Sequence, residues 1–386
     1  MQSSYLFVFL LLLLSACQGD PSGDAEDVPV SSPASDYESA DYKWGFANAN
    51  GKLIIPARYD EVRNFGSEGL ALVREGDRWY FIEANGQQSS KAFKMAWPYA
   101  EQRARVRFDH DSIGFVNQRG QIIIPPNFES AGDFNNGYTW AKQMNQYGIL
   151  DHQGKTIVPF QYDKLSGGQG GEYIFRQNGK YGLLHADSGE FIPAVYEKIR
   201  AFGAQSFTPA RRDGRYGYLD RAGQWQLSPQ FLQAGLFNEG RAVVLQANEQ
   251  LALIDSSGQN YLREPYQQVW YAKSGRWIVE EKGLYGAVDA SGEIKIPLVF
   301  SELQSSSEGF MVYQQNELWG YLNAQTGAPL TPPAYGLAWP FNEGFARVAT
   351  RQGISLIDTS GQLRFPPNYL DVKDGRKGLF PVQVIE

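Results

Sequence analysis

From residue 42 onward one pattern recurs every 34 or 35 residues, and that period limits the fold more than any other feature of the chain. Trp44-Gly45-Phe46-Ala47-Asn48-Ala49-Asn50-Gly51 is matched by Tyr147-Gly148-Ile149-Leu150-Asp151-His152-Gln153-Gly154. The place of Gly45 is taken in turn by Tyr80, Gly114, Gly148, Gly182, Gly217, Ala252, Gly286, Gly320 and Ser355. A fixed period of this length marks a chain built from ten copies of one supersecondary unit.

A second glycine is present in every copy: Gly51, Gly86, Gly120, Gly154, Gly189, Gly223, Gly258, Gly292, Gly327 and Gly361. Asp or Asn usually stands three residues before it, as at Asn48, Asn117, Asp151, Asp220, Asp255, Asp289 and Asp358. An Asx-x-x-Gly segment between apolar runs reads as a hairpin loop. The Asx side chain bonds the turn backbone, and glycine takes the positive φ that other residues resist.

The apolar run after that glycine reaches Pro at positions 56, 125, 159, 297, 332 and 366, which is expected to end a strand by removing a ladder donor. An aromatic follows three residues on, and a further Gly (Gly69, Gly137, Gly240, Gly309) opens an alternating strand. Pairs such as Asn178-Gly179 and Asp213-Gly214 then suit a two-residue hairpin. Each copy is therefore expected to hold three short antiparallel strands, in an all-β body over 42–386 with no helical period.

These residues resemble the WG (KWG) repeat family, common in bacterial exported and surface proteins. The naming dipeptide stands at Trp44-Gly45 and Trp319-Gly320, with Tyr-Gly beginning at Tyr147, Tyr181, Tyr216 and Tyr285. Copies two, seven and ten depart, with Tyr80, Ala252 and Ser355 in place of the glycine. The resemblance implies architecture and little about activity. Propeller blades usually hold four strands, in rings of four to eight. A unit of 34–35 residues and a count of ten both point to an open, superhelical solenoid rather than a closed propeller.

The N-terminus reads as an address. Residues 5–14 are an unbroken apolar run, too short for a permanent membrane helix, which needs about 20 residues. The run leads into Leu14-Ser15-Ala16-Cys17, which resembles the bacterial lipobox. The expectation is a signal peptide over 1–16 and lipidation of Cys17, the chain's single cysteine. Residues 17–41 would then be a tether rich in Ser, Pro and acids that buries too little apolar surface to order. The product would be an exported lipoprotein anchored to a membrane, the outer membrane being expected, on its periplasmic or surface face.

Net charge is −7 over 386 residues. Residues 1–41 carry seven acids and no Lys or Arg, which leaves 35 acids against 35 bases in the repeat body. A neutral body lacks the electrostatic footprint of phosphate-backbone binding, so no nucleic-acid partner is expected.

No catalytic residue is assigned. His110, His152 and His185 occupy different positions in their copies and imply no shared metal face. One carboxylate per turn is poor for calcium, so neither metal nor cofactor is expected. Glu308-Gly309 and Glu343-Gly344 recur as repeat features and read as structural. Trp97, Trp140, Trp225, Trp270, Trp277 and Trp339 could stack on sugars, but inter-repeat core is the better reading. The resulting expectation is a non-catalytic envelope lipoprotein that binds a protein or glycan partner. The alternatives are a glycan-acting enzyme with acids in a groove, and a purely structural envelope or adhesion component.

Overall fold

A computed structural model describes residues 42–167, 169–366 and 369–385. The expected signal peptide, Cys17 and the tether lie outside the described residues. The body forms ten small antiparallel sheets in succession, here called blades one to ten, in a ten-bladed β-propeller arrangement.

Blade one joins the two ends of the chain. Its strand order is Asp371–Val372, Leu379–Ile385, Tyr42–Asn48, Leu53–Tyr59. Seven successive register pairs, from Tyr42↔Ile385 to Asn48↔Leu379, knit the first strand to the last. The Tyr369 hydroxyl donates to the Gly51 carbonyl at 2.7 Å, and the Lys377 ammonium to the Ser67 carbonyl at 2.6 Å. The expectation of an open solenoid is therefore corrected: the array closes on itself. Counted from its Trp-Gly, each copy supplies the last two strands of one blade and the first two of the next. The chain thus starts and ends half a blade out of phase, and closure supplies the missing halves.

The expected three strands per copy are also corrected. Seven blades have four, because the first strand is a stub of a few residues, such as Lys198–Ile199 in blade six. A two-residue strand leaves no alternation to read, and its brevity lets four strands fit in 34 residues. Blade six continues with Phe207–Arg212, Arg215–Asp220 and Trp225–Phe231.

The Trp-Gly glycine makes the fourth strand possible. In blade one, Trp44 pairs with Tyr59 and Phe46 with Ile55, so Gly45 faces a bulge in the fourth strand. A Cβ at Gly45 would lie 2.5 Å from the Ile55 carbonyl oxygen; at Gly217 it would lie 2.4 Å from that of Leu227. Blades two, seven and ten have three strands, and these are the blades carrying Tyr80, Ala252 and Ser355. There a loose segment follows the third strand, and side chains stand in for ladder groups. The Phe81 N–H donates to Ser90 Oγ at 3.1 Å, and the Leu253 N–H to Asn260 Oδ1 at 3.1 Å.

The prolines at 56, 125, 159, 297 and 332 lie inside fourth strands, not at their ends. A fourth strand is a sheet edge, and a missing N–H on its free side costs no ladder bond.

Ten clusters of buried apolar side chains form the core. In one, Tyr218, Phe231 and Phe237 pack with Val244 and Ile254, spanning blades six and seven. The ten turn glycines all adopt φ between +70° and +88°. Several also seat the turn on the preceding blade, as Gly154 does on Ile124 and Gly258 on Leu227.

Candidate functional site

Most polar residues singled out by the repeat are consumed in holding it. Asp255 Oδ1 accepts from the N–H groups of Ser257 and Gln259 and from the Ser257 hydroxyl at 2.6 Å. Those bonds, the Ser257 hydroxyl first, hold its carboxyl down at about 2. His185 does the same work without a carboxylate: its Nδ1 accepts from the N–H groups of Asp187 and Ser188, both at 3.2 Å.

Glu239, Glu308 and Glu343, each just before the glycine that opens a blade's second strand, and Glu101 at the same place in its copy, tie neighbouring blades together. Glu308 accepts the N–H of Gly344 at 2.9 Å, and Glu343 that of Lys377 at 2.6 Å. Glu239 reaches Gly275 at 3.1 Å, and Glu101 reaches Gly137 at 2.9 Å. Glu239, Glu308 and Glu343 hold φ near +50°, an unfavourable backbone offset by these bonds.

His152 Nε2 lies 2.8 Å from Glu101 Oε2 across the interface of blades three and four. Burial raises the Glu101 pKa, but the bonds from Gly137 and His152 outweigh it and leave it lowered. This pair was not visible in the sequence, because its members are 51 residues apart in different copies. His110 stays exposed, and among the described residues no three His, Cys, Asp or Glu converge as metal ligands.

None of the nine tryptophans is exposed. Trp277 is fully buried, the Arg105 guanidinium covers Trp97 at 4.0 Å, and the Arg347 guanidinium covers Trp339 at 4.7 Å. The rings fill blade interfaces and leave no open stacking platform among the described residues.

An open cavity of about 580 Å³ lies at blade ten, where no fourth strand among the described residues covers Gly353–Asp358. Thr350, Gln352, Ser355 and Arg364 line it over Leu363 and Phe365. No carboxylate is among the described residues that line it. Asp358, nearby, is held by Ser360 and by Arg364 at 2.5 Å, which pushes its carboxyl far below the usual range. The cavity offers hydroxyls, guanidinium groups and an apolar floor. Such a lining can recognise a ligand through its polar groups over an apolar floor.

A family model described as "WG containing repeat" matches residues 44–79, 113–146, 147–181, 216–249, 285–319 and 319–350. The segments containing Tyr80, Ala252 and Ser355 lie outside those matches. No curated protein matches the chain. Among solved structures, a eukaryotic initiation factor aligns at 9% identity over 84% of this chain and 95% of its own, with a TM-score of 0.44. BamB from Moraxella catarrhalis aligns at 11% over 66% and 96%, with a TM-score of 0.34. The computationally designed Ika8 protein aligns at 9% over 71% and 94%, with a TM-score of 0.35.

Proposed function

Because this chain belongs to the family of WG containing repeats, matched over more than half its length, we propose that it is a non-catalytic binding and scaffolding protein of the cell envelope. The observation that carries this reading is the blade-ten cavity, which has recognition groups and, among the described residues, no carboxylate in its lining. The repeat carboxylates add support, since Asx turns and blade-to-blade bonds occupy them. In this reading the chain is exported, acylated at Cys17 and held to the outer membrane, with a protein or glycan as partner.

Two experiments test it. The ring, residues 42–386, is immobilised and exposed to solubilised envelope proteins and a panel of polysaccharides. Retention of one specific partner, lost on Arg364→Glu, supports the reading; shortening of any polysaccharide overturns its non-catalytic part. Separately, cells expressing the full chain are fed a labelled fatty acid. Incorporation that disappears in Cys17→Ser supports the anchor, and an unlabelled protein sinks it.

A further inference from the structure

The repeat body is neutral as a whole but not evenly so. Within a blade, the hairpin between the second and third strands and the passage from the preceding blade's fourth strand lie at the same end. In blade two, for example, Asp60 accepts the Gly76 N–H at 2.7 Å. At this end of blades five and six, cations face one another directly across strands. The register pairs are Lys164↔Arg176, Lys198↔Arg211 and Arg212↔Arg215.

Like charges placed directly opposite destabilise a sheet. At the position of the first two pairs, other blades carry Glu61↔Arg74, Ser130↔Lys142, Gln268↔Glu280 or Glu302↔Gln314. Only blades five and six put two cations there, and Lys180 adds another. Glu197 draws on Arg211 at 3.5 Å and Lys180 at 4.0 Å, and Asp163 is engaged by the Asn178 N–H. The Nη1 of Arg215 is buried with no acceptor among the described residues. Lys198 and Arg212 are exposed. Against Lys164, Arg176, Lys180, Lys198, Arg211, Arg212 and Arg215 the patch sets only Asp163, Glu197 and Asp213, so it carries a net positive charge that an acidic segment complements.

The chain itself carries such a segment. Residues 18–41 hold all seven acids of the N-terminal region and no base. They lead into Tyr42, and the ion pair of Lys43 with Asp60 at 2.6 Å places that entry at the same end of the ring as the patch. Ten sheets spaced about 10 Å apart give a ring about 32 Å across at mid-blade. The 24 residues of 18–41 can span roughly 80 Å when extended. We propose that the acidic segment 18–41 docks on the cationic pairs of blades five and six, across the ring from where it enters. The occupant is this chain's own segment, and the inference does not depend on the binding function proposed above.

The test uses the ring alone, since residues 42–385 contain every strand among the described residues and both sides of the closing ladder. A labelled synthetic peptide of residues 18–41 is titrated into the ring (42–386) and into the longer chain (18–386), followed by fluorescence anisotropy at low and physiological salt. The peptide is expected to bind the ring, more weakly as salt rises. Lys198→Glu with Arg212→Glu should weaken binding at least tenfold, whereas Arg351→Glu at blade ten should not. A tethered segment competes at an effective concentration in the millimolar range, so the longer chain should bind the peptide at least about tenfold less tightly. Equal binding to both chains, no binding at low salt, or indifference to the charge reversal overturns the proposal. So does tight binding of anionic phospholipid vesicles, or self-association, that is the same for 18–386 as for 42–386. Either result would mean the patch is open in the longer chain.

Discussion

At the scale of single residues, two small groups do most to define the blade. The Trp-Gly glycine leaves room for backbone where any Cβ would intrude. Gly217→Ala puts a methyl 2.4 Å from the Leu227 carbonyl oxygen and 2.8 Å from the Pro229 nitrogen. It should destabilise the ring by about 1–3 kcal/mol, as overpacking does, measured by urea denaturation. The Asx residue supplies the turn's acceptor. The folded pKa of Asp255, about 2, lies below its ordinary value of 3.8. Its contribution to stability is therefore present above pH 4 and is lost as pH falls from 4 toward 2. Asp255→Asn keeps an amide oxygen for the turn N–H groups. It should change stability by less than about 1 kcal/mol at pH 7 and flatten the acid loss, followed by thermal melts across that range. Glu308→Ala removes the acceptor of the Gly344 N–H and should cost about 1–3 kcal/mol. Both glycine types and the Asx role were legible in the sequence, because each acts within its own copy. The bonds from Glu101 to His152 and from Glu308 to Gly344 join different copies, and no local pattern announces them.

At the scale of the strand, the loss of the Trp-Gly glycine coincides with the loss of a whole element. Among the described residues, the third strands Leu251–Ile254 and Gly353–Asp358 have no regular fourth strand beside them, whereas Arg215–Asp220 and Leu318–Asn323 do. Hydrogen–deuterium exchange should therefore reach the first two before the last two. Equal protection in all four would show that the loose segments shield their neighbours as well as a strand does. Copies two, seven and ten stood out in the sequence, but what they lacked was hidden. The first strand of each blade was hidden for another reason. Two residues such as Glu61–Val62 cannot display a period of two, and without them each copy looks too small for a blade.

At the scale of the whole molecule, closure depends on residues at opposite ends of the chain. Tyr369 and Gly51 are separated by 318 positions, and a repeat period says nothing about whether its first and last copies meet. Because Tyr42 already lies opposite Ile385, a circular permutant is a direct test. Joining those ends by a short glycine linker and opening the chain at Asn178-Gly179 should leave the melting temperature within about 5 °C of the parent. Removing residues 379–386 instead strips the second strand from blade one and should abolish the single cooperative transition. A permutant that melts like the truncation would show that the terminal ladder is not what holds the ring. The same ladder also decides how the molecule answers force. A load applied between the two chain ends meets Tyr42↔Ile385 first and peels the pairs in sequence, a geometry that yields at low tension. A load between the N-terminus and a partner held on a distant blade leaves the C-terminal strand unpulled. A pull on both termini therefore opens the ring at its seam, while other directions of load reach it only through the neighbouring blades.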